Sequence, residues 1–351
     1  MNSSTYDPCL LWSNSPNYFG IVGLQTDDTL FLANTTFADA EQQQLEKAHF
    51  LAKEREHLTV EQSLKFNGCI IQLSREGNIT ITQERQCKNL KTVHLSKVAT
   101  TTSSRGIVRD ALTTKEQYVA QRARGAYIAS MCQPEASFDL SFAAQVINPE
   151  KSDITALNKR LQWQIDNPAR GLTYVKLDIN TLRLLVFTDA SFANNKDLSS
   201  QIGYILVLAD ITNKANIVHW SSIKCKRITR SVLASELYAM AHGFDIGAAI
   251  KSIVEQLLQI ELPLILCTDS KSLYECLVKL GTTREKRLMI DVMCLRQSYE
   301  RREITEVKWI DGNSNPADSM TKGKASTALK KLIDTNYLEL QTMEWVERKD
   351  I

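Results

Sequence analysis

Leu184-Leu185-Val186-Phe187-Thr188-Asp189-Ala190-Ser191 is an apolar, strand-like run that breaks on a carboxylate. Leu264-Ile265-Leu266-Cys267-Thr268-Asp269 repeats the pattern, ending in Asp just ahead of a helical stretch. Between the two runs lie strand-like segments at 203–209 and 217–221 and a long helical pattern over about 231–258. Beyond them come helical stretches at 271–280 and 285–301, a strand at 306–310, and a helical segment opened by Pro316. The order βββ-α-β-α-α-β-α predicts an α/β (α+β) domain, a mixed five-stranded sheet with flanking helices, over residues 178–326.

Upstream, the style differs. Residues 20–24 and 29–32 read as a hairpin around the polar turn Gln25-Thr26-Asp27-Asp28, followed by a helix expected over 37–58. A second hairpin is expected over 64–83, turning at Arg75-Glu76-Gly77-Asn78. Residues 95–115, rich in Ser and Thr, read as a flexible connection, and 116–164 as helices interrupted by Pro134 and Pro149. At 351 residues, with 43% hydrophobic and 23% charged residues, the chain has ample material for two or three folded units and is far from collagen-like or disordered compositions. Forty-two basic residues face 40 acidic ones, and neither half is strongly acidic or basic. A nucleic-acid partner must therefore be held by local clusters rather than bulk charge. The eight cysteines form no C-x-x-C pair and no zinc spacing, which favours buried reduced thiols. No secretory leader is read at the N-terminus and no apolar run is long enough for a membrane span, so no membrane role is expected.

Taken singly, three acids have structural readings. Asp189 at a strand end is a turn former. Asp269 is an N-cap or near-cap. Asp318, in Asn315-Pro316-Ala317-Asp318, occupies a helix start, where acids are favoured. Glu236 is different, because its spacing from Leu233 and Met240 puts it on or beside the apolar stripe of its helix. A carboxylate there must be paired with a base, protonated or metal-bound. Taken together, two acids end strands, one faces the sheet and one opens a late helix. Strand C-terminal ends are where open α/β sheets build sites. Converging carboxylates repel one another unless cations neutralise them. Oxygen-only ligation selects Mg²⁺ or Mn²⁺ over zinc. Two such ions about 3.5–4 Å apart can stabilise both the attacking and the leaving oxygen of a phosphodiester displacement.

Phe187-Thr188-Asp189-Ala190-Ser191, the stretch from Ser231 to Leu237, Cys267-Thr268-Asp269-Ser270-Lys271 and Asn315-Pro316-Ala317-Asp318-Ser319-Met320-Thr321-Lys322 resemble the ribonuclease H domain of copia-type retrotransposons. The resemblance implies a ribonuclease H-like fold and hydrolysis of the RNA strand of RNA–DNA hybrids with two Mg²⁺ (or Mn²⁺) ions. It implies that Asp189, Glu236, Asp269 and Asp318 are the catalytic metal ligands, Asp189 touching both ions, Glu236 and Asp269 one, and Asp318 the other. Two positions depart from the family pattern. Ala234 stands where many members carry another Glu, and the loop Asp311-Gly312-Asn313-Ser314-Asn315 lacks the His that helps product leave in many ribonucleases H.

The resemblance extends upstream. Tyr6-Asp7-Pro8-Cys9-Leu10-Leu11 and the hairpin bearing Asp27 and Asp28 are similar to the end of a copia-type reverse transcriptase palm, with Gln25 where an aromatic residue is usual. Leu64-Lys65-Phe66-Asn67-Gly68 resembles its primer-gripping hairpin, and residues 116–174 its thumb-to-ribonuclease connection. The implied division is a truncated palm and thumb region over 1–93, a connection over 94–177, the ribonuclease H-like domain over 178–326 and a C-terminal tail over 327–351. With 26 residues ahead of Asp27, the remaining polymerase Asp and the fingers have no room. Asp27 and Asp28 are accordingly expected to be a remnant motif, with polymerase activity lost or dependent on a missing N-terminal part. A palm without fingers is expected to expose a surface they normally cover.

Lys224, Lys226, Arg227 and Arg230, interleaved with Ser222, Thr229 and Ser231, precede the helix of Glu236 and form the candidate nucleic-acid contact; a solvated basic edge is the alternative. Tyr204 and Trp220 are either base-stacking or core aromatics. The expected partner is an RNA–DNA hybrid read by backbone shape, with other retroelement proteins or a separate reverse transcriptase fragment as further partners. The expected location is the cytoplasm or the interior of a virus-like particle. Two other functions fit the sequence: an RNA-directed DNA polymerase subunit, and a non-enzymatic nucleic-acid-binding remnant.

Overall fold

The computed structural model describes residues 1–15, 17–26, 28–95, 100–103, 106–109, 112–279, 283, 285–323 and 326–345. Near the N-terminus, β1 (Asn2–Ser3), β2 (Leu10–Ser15), β3 (Tyr18–Gln25) and β4 (Asp28–Ala33) form an antiparallel sheet in sequence order. Gln25 pairs with Asp28 across the expected hairpin turn; Asp27 lies outside the described residues. Helix α1 (Thr35–Lys47) closes over this sheet. Phe37 is buried, lying so close to Gly20 that a Cβ there would come within 2.7 Å of its ring. The helix stops well short of the expected 58. Ala48 caps it, His49 turns left-handed, and the Phe50 N–H donates to the Leu45 carbonyl (3.0 Å) while the His49 N–H donates to Glu46 (3.0 Å). That is a Schellman motif, which satisfies the terminal carbonyls and sends the chain off the helix axis.

The expected second hairpin contains an additional reversal. β5 (Leu64–Phe66) turns through Asn67-Gly68, both at positive φ, into β6 (Cys69–Leu73), which turns again into β7 (Ile79–Thr82). After α2 (Glu84–Lys88), part of the expected flexible connection pairs as β8 (Thr100–Ser103) and β9 (Gly106–Arg109); the rest of 96–111 lies outside the described residues. Helices α3 (Thr114–Met131), α4 (Ser137–Ala143) and α5 (Lys151–Asp166) then pack around Tyr118, Ile128, Leu140, Leu157 and Leu161. β10 (Leu172–Tyr174) returns to pair with β7, so the second sheet has the order β10-β7-β6-β5.

The expected α/β domain has β11 (Arg183–Ser191) at its centre. β12 (Gln201–Ala209) and β13 (Ala215–Lys224) follow antiparallel on one side, while β14 (Leu264–Thr268) and then β15 (Glu306–Ile310) lie parallel on the other. The five strands thus form the mixed sheet expected from the sequence. Period-two alternation sorts the side chains. Leu184, Val186, Leu206 and Leu266 face one cluster with Leu237 and Met240 of α6 (Val232–Leu258), together with residues of α7 (Lys271–Val278) and α8 (Leu288–Glu300). Leu185, Phe187, Ile205, Val207 and Ile265 face the other.

The five expected strands gain a sixth, and the segment from 327 is no detached tail through residue 345. Helix α9 (Thr327–Thr335) buries Leu329, Leu332 and Ile333 on the second face, and β16 (Thr342–Trp345) adds antiparallel to β15. Covering the edge of β15 satisfies backbone groups that would otherwise be unpaired.

The connection helices also hold the sheet. Gln201 of β12 donates to Ser141 (3.0 Å) and Ser222 (3.0 Å), and Gln145 donates to Gln201 (3.2 Å) and Asn195 (3.1 Å). Arg170 pairs with Glu135 (2.7 Å) and with Asp334 of α9. All eight cysteines are unpaired; Cys9 and Cys294 are exposed and the others are buried. No helix of the described residues is long and apolar enough to cross a membrane.

Candidate metal centre

Asp189 and Asp269 are brought together because β11 and β14 are parallel neighbours in register, with Thr188 opposite Thr268. The acid that follows each therefore lies at the same end of the sheet. Asp269 stands just past β14. Asp189 is not at the expected strand end but still within β11, opposite Gly203, because β11 stays paired with β12 to Ser191. Glu236 reaches that end because α6 lies very close to β11. Gly243, about two turns beyond Glu236, leaves no room for a side chain: a Cβ there would come within 2.9 Å of Thr188 Cγ2. A similar Cβ at Gly247 would meet Val186 at 2.9 Å. These two glycines set the helix–sheet distance, and Glu236 shares their face.

Ligand oxygens from Asp189, Glu236 and Asp269 all lie within 4.8 Å of one another. Asp189 and Glu236 are buried and Asp269 is half-buried. Burial first, and then the Asp269 charge, push the Asp189 carboxyl up to about 6; Thr321 and Lys322 act the other way. Glu236 is raised well above the usual carboxylate range, again by burial first and then by Asp189 and Asp269. Asp269 is raised by burial, with Lys322 and Asn315 opposing. Glu236 Oε2 is buried without a hydrogen-bond partner. An orphaned carboxylate oxygen facing two other acids is costly unless a cation lies between them. The all-oxygen donor set fits a hard divalent ion such as Mg²⁺ or Mn²⁺.

Asp318 stands one step outside this trio. It lies in the 3₁₀ turn Pro316–Met320 rather than the expected helix, and its Oδ1 is ion-paired with Lys322. Lys322 Nζ also lies 3.9 Å from Asp189 Oδ2. Thr321 donates its hydroxyl to the same Asp189 oxygen. Thr321, Lys322 and Asn315 stand in the stretch that carries the family resemblance, but the sequence assigned them no role of their own. The signals for Lys322 are its place at the end of that motif and its i+4 spacing from Asp318.

The basic segment divides in two. Lys224 is paired with Asp197, and Arg227 with Asp291 (3.1 Å) while lying 4.9 Å over the Tyr238 ring. Lys226 and Arg230 are exposed, with no carboxylate partner among the described residues. The interleaved hydroxyls are used internally: Ser222 donates to the Met320 carbonyl (2.5 Å), Thr229 meets Ser200 (2.6 Å), and Ser231 caps α6. Trp220 donates its indole N–H to the Ala129 carbonyl (3.0 Å), and buried Tyr204 stacks on His219. Both aromatics are therefore packing residues, because each has its polar or π partner inside the protein. Asp28 is exposed at the far hairpin.

No family model matches the chain. Among solved structures, it is similar to LC11-RNase H1, isolated from compost, in complex with an RNA/DNA hybrid (16% identity over 42% of this chain and 99% of that one, TM-score 0.32). It is also similar to RNase H1 from the halophilic archaeon Halobacterium salinarum (16% identity, 42% and 98%, TM-score 0.31). A third likeness, to the protease-reverse transcriptase of prototype foamy virus, spans 87% of this chain and 43% of that one at 11% identity (TM-score 0.24).

Proposed function

We propose that this chain is a metal-dependent endonuclease that hydrolyses the RNA strand of RNA–DNA hybrids. The observation that carries the reading is the trio Asp189, Glu236 and Asp269, gathered at one end of a ribonuclease H-type sheet with an unpartnered Glu236 oxygen. Divalent ions held there would supply electrostatic stabilisation of the attacking and leaving oxygens of a phosphodiester. The protein's own part is positional. Thr321 fixes one oxygen of Asp189, leaving the other free to ligate. Asn315 donates to the Thr188 carbonyl (3.0 Å) and so ties the Asp318 turn to the strand of Asp189. Asp318, at the rim with Lys322, would complete the set on the solvent side.

Lys226 and Arg230 are free to meet phosphate oxygens, which would position a duplex without reading its sequence. The copia-type motifs support a retroelement origin. In the same reading, residues 1–177 derive from a reverse transcriptase palm, thumb and connection. The test is substrate discrimination: full-length chain with Mg²⁺ is expected to cut the RNA of a labelled hybrid and to leave single-stranded RNA and duplex DNA intact. Equal cutting of single-stranded RNA would sink the hybrid assignment.

A further inference from the structure

One internal cation already reaches the carboxylate cluster. Lys322 Nζ is ion-paired with Asp318 and lies 3.9 Å from Asp189 Oδ2. Its backbone N–H donates to the Asp318 carbonyl (3.2 Å), an i→i−4 turn that puts the two side chains on one face. The Lys322 side chain remains 47% exposed, so its flexible stem can swing toward water without opening the core. The deep side of the cluster is different. Glu236 Oε2 has no hydrogen-bond partner among the described residues, and Lys322 approaches the Asp189–Glu236–Asp269 trio at its Asp189 edge.

The cluster thus has two unequal halves. We propose that Lys322 is the resident counter-ion of the outer half, its ammonium standing in for a divalent cation between Asp189 and Asp318. Two divalent ions then load in sequence. The first enters the deep trio, where Glu236 Oε2 has no hydrogen-bond partner, and the second must displace Lys322. This rests on the metal-dependent reading above and adds to it an order of loading and the residue that imposes it. A chain that carries its own counter-ion avoids the repulsion of four uncompensated acids when metal is scarce. The cost is a weaker second site.

The experiment is calorimetric titration of full-length, metal-free protein with Mn²⁺, comparing wild type, Lys322→Met and Asp318→Asn. Wild type is expected to show two steps, the second weaker. Lys322→Met is expected to strengthen the second step by about tenfold or more and to change the first much less. Asp318→Asn is expected to keep the first and lose the second. Lys322→Met should also melt below wild type in chelator, with the difference vanishing at saturating Mn²⁺. A purely structural role would lower both melts alike. An unchanged second step in Lys322→Met, or a single step in both proteins, overturns the proposal. No Mn²⁺ step in either protein overturns it together with the metal-dependent function. The expected titrations with an uncut hybrid overturn the nuclease reading and leave the role of Lys322 standing.

Discussion

Asn315 donates its side-chain amide to the backbone carbonyl of Thr188 at 3.0 Å, joining two segments 127 residues apart in the chain. The same side chain accepts from the Ala317 N–H at 3.1 Å and is fully buried. One amide therefore fixes the turn that carries Asp318 against the strand that carries Asp189.

Replacing it with Leu should leave the Thr188 carbonyl and the Ala317 N–H without partners. The expected loss is about 1–3 kcal/mol per buried group left unpaired. The looser turn should also weaken the second Mn²⁺ step more than the first. Chemical denaturation together with the titration checks this; a variant as stable as wild type with unaltered binding would contradict it.

The carboxylate cluster sets a pH dependence whose sign is opposite to that of ordinary salt-bridged acids. The folded protein holds the Asp189 proton up to about pH 6, against a usual 3.8. Over that window the folded state binds more protons than the unfolded chain, so metal-free stability falls as pH rises from about 4 to about 6. The loss for this group is up to about 3 kcal/mol. Asp189→Asn removes the ionisation. It should therefore be more stable than wild type in chelator at pH 7, and less stable in saturating Mg²⁺. Melting curves in the two buffers decide it. A variant less stable than wild type in chelator rejects this origin of the strain.

Gly243 sets the approach of α6 to β11. Gly243→Val should force the helix away from Thr188 and Val186, costing about 1–3 kcal/mol by overpacking. Because Glu236 rides on the same face, the first Mn²⁺ step should weaken as well. A control at exposed Val232, changed to Ala, should leave metal binding unchanged. Unaltered metal affinity in Gly243→Val would show that Glu236 does not depend on this contact.

Pairing within the basic segment predicts which residues matter to nucleic acid. Neutralising Lys226 or Arg230 should weaken hybrid binding and reduce the salt slope by roughly one counterion each. Lys224 is already paired with Asp197, so Lys224→Ala should have the smaller effect. Binding measured across a salt series checks the order; a larger slope change for Lys224 would reverse it.

Much of the α/β domain was legible because its central strands β11 and β14 are apolar runs with an Asp at the same end, Asp189 within β11 and Asp269 just past β14. Glu236 was legible because it interrupts an apolar helical stripe. Three features were not. Helix α1 stops at Lys47 through backbone geometry at His49, where no Gly or Pro marks the end. Strand β16 is a short, mixed-polarity edge strand whose only signal is its partner β15, far away in sequence. The internal commitment of Ser222, Thr229 and Trp220 depends on long-range pairings that local pattern does not encode. The role of Lys322, though the residue closes the motif that begins at Asn315, was hidden for a related reason. Its i+4 spacing from Asp318 is local, but its reach to Asp189 arises only when the 3₁₀ turn folds over β11.

The most direct measurement uses an RNA–DNA hybrid labelled on each strand, full-length protein and Mg²⁺, with Asp269→Asn and chelator as controls. Expected are a cut RNA strand, an intact DNA strand, no cutting in chelator, and an Asp269→Asn variant that binds the hybrid without cutting it. An RNA strand left intact under saturating protein and metal, or Asp269→Asn cutting at the wild-type rate, would contradict the assignment of these acids to catalysis.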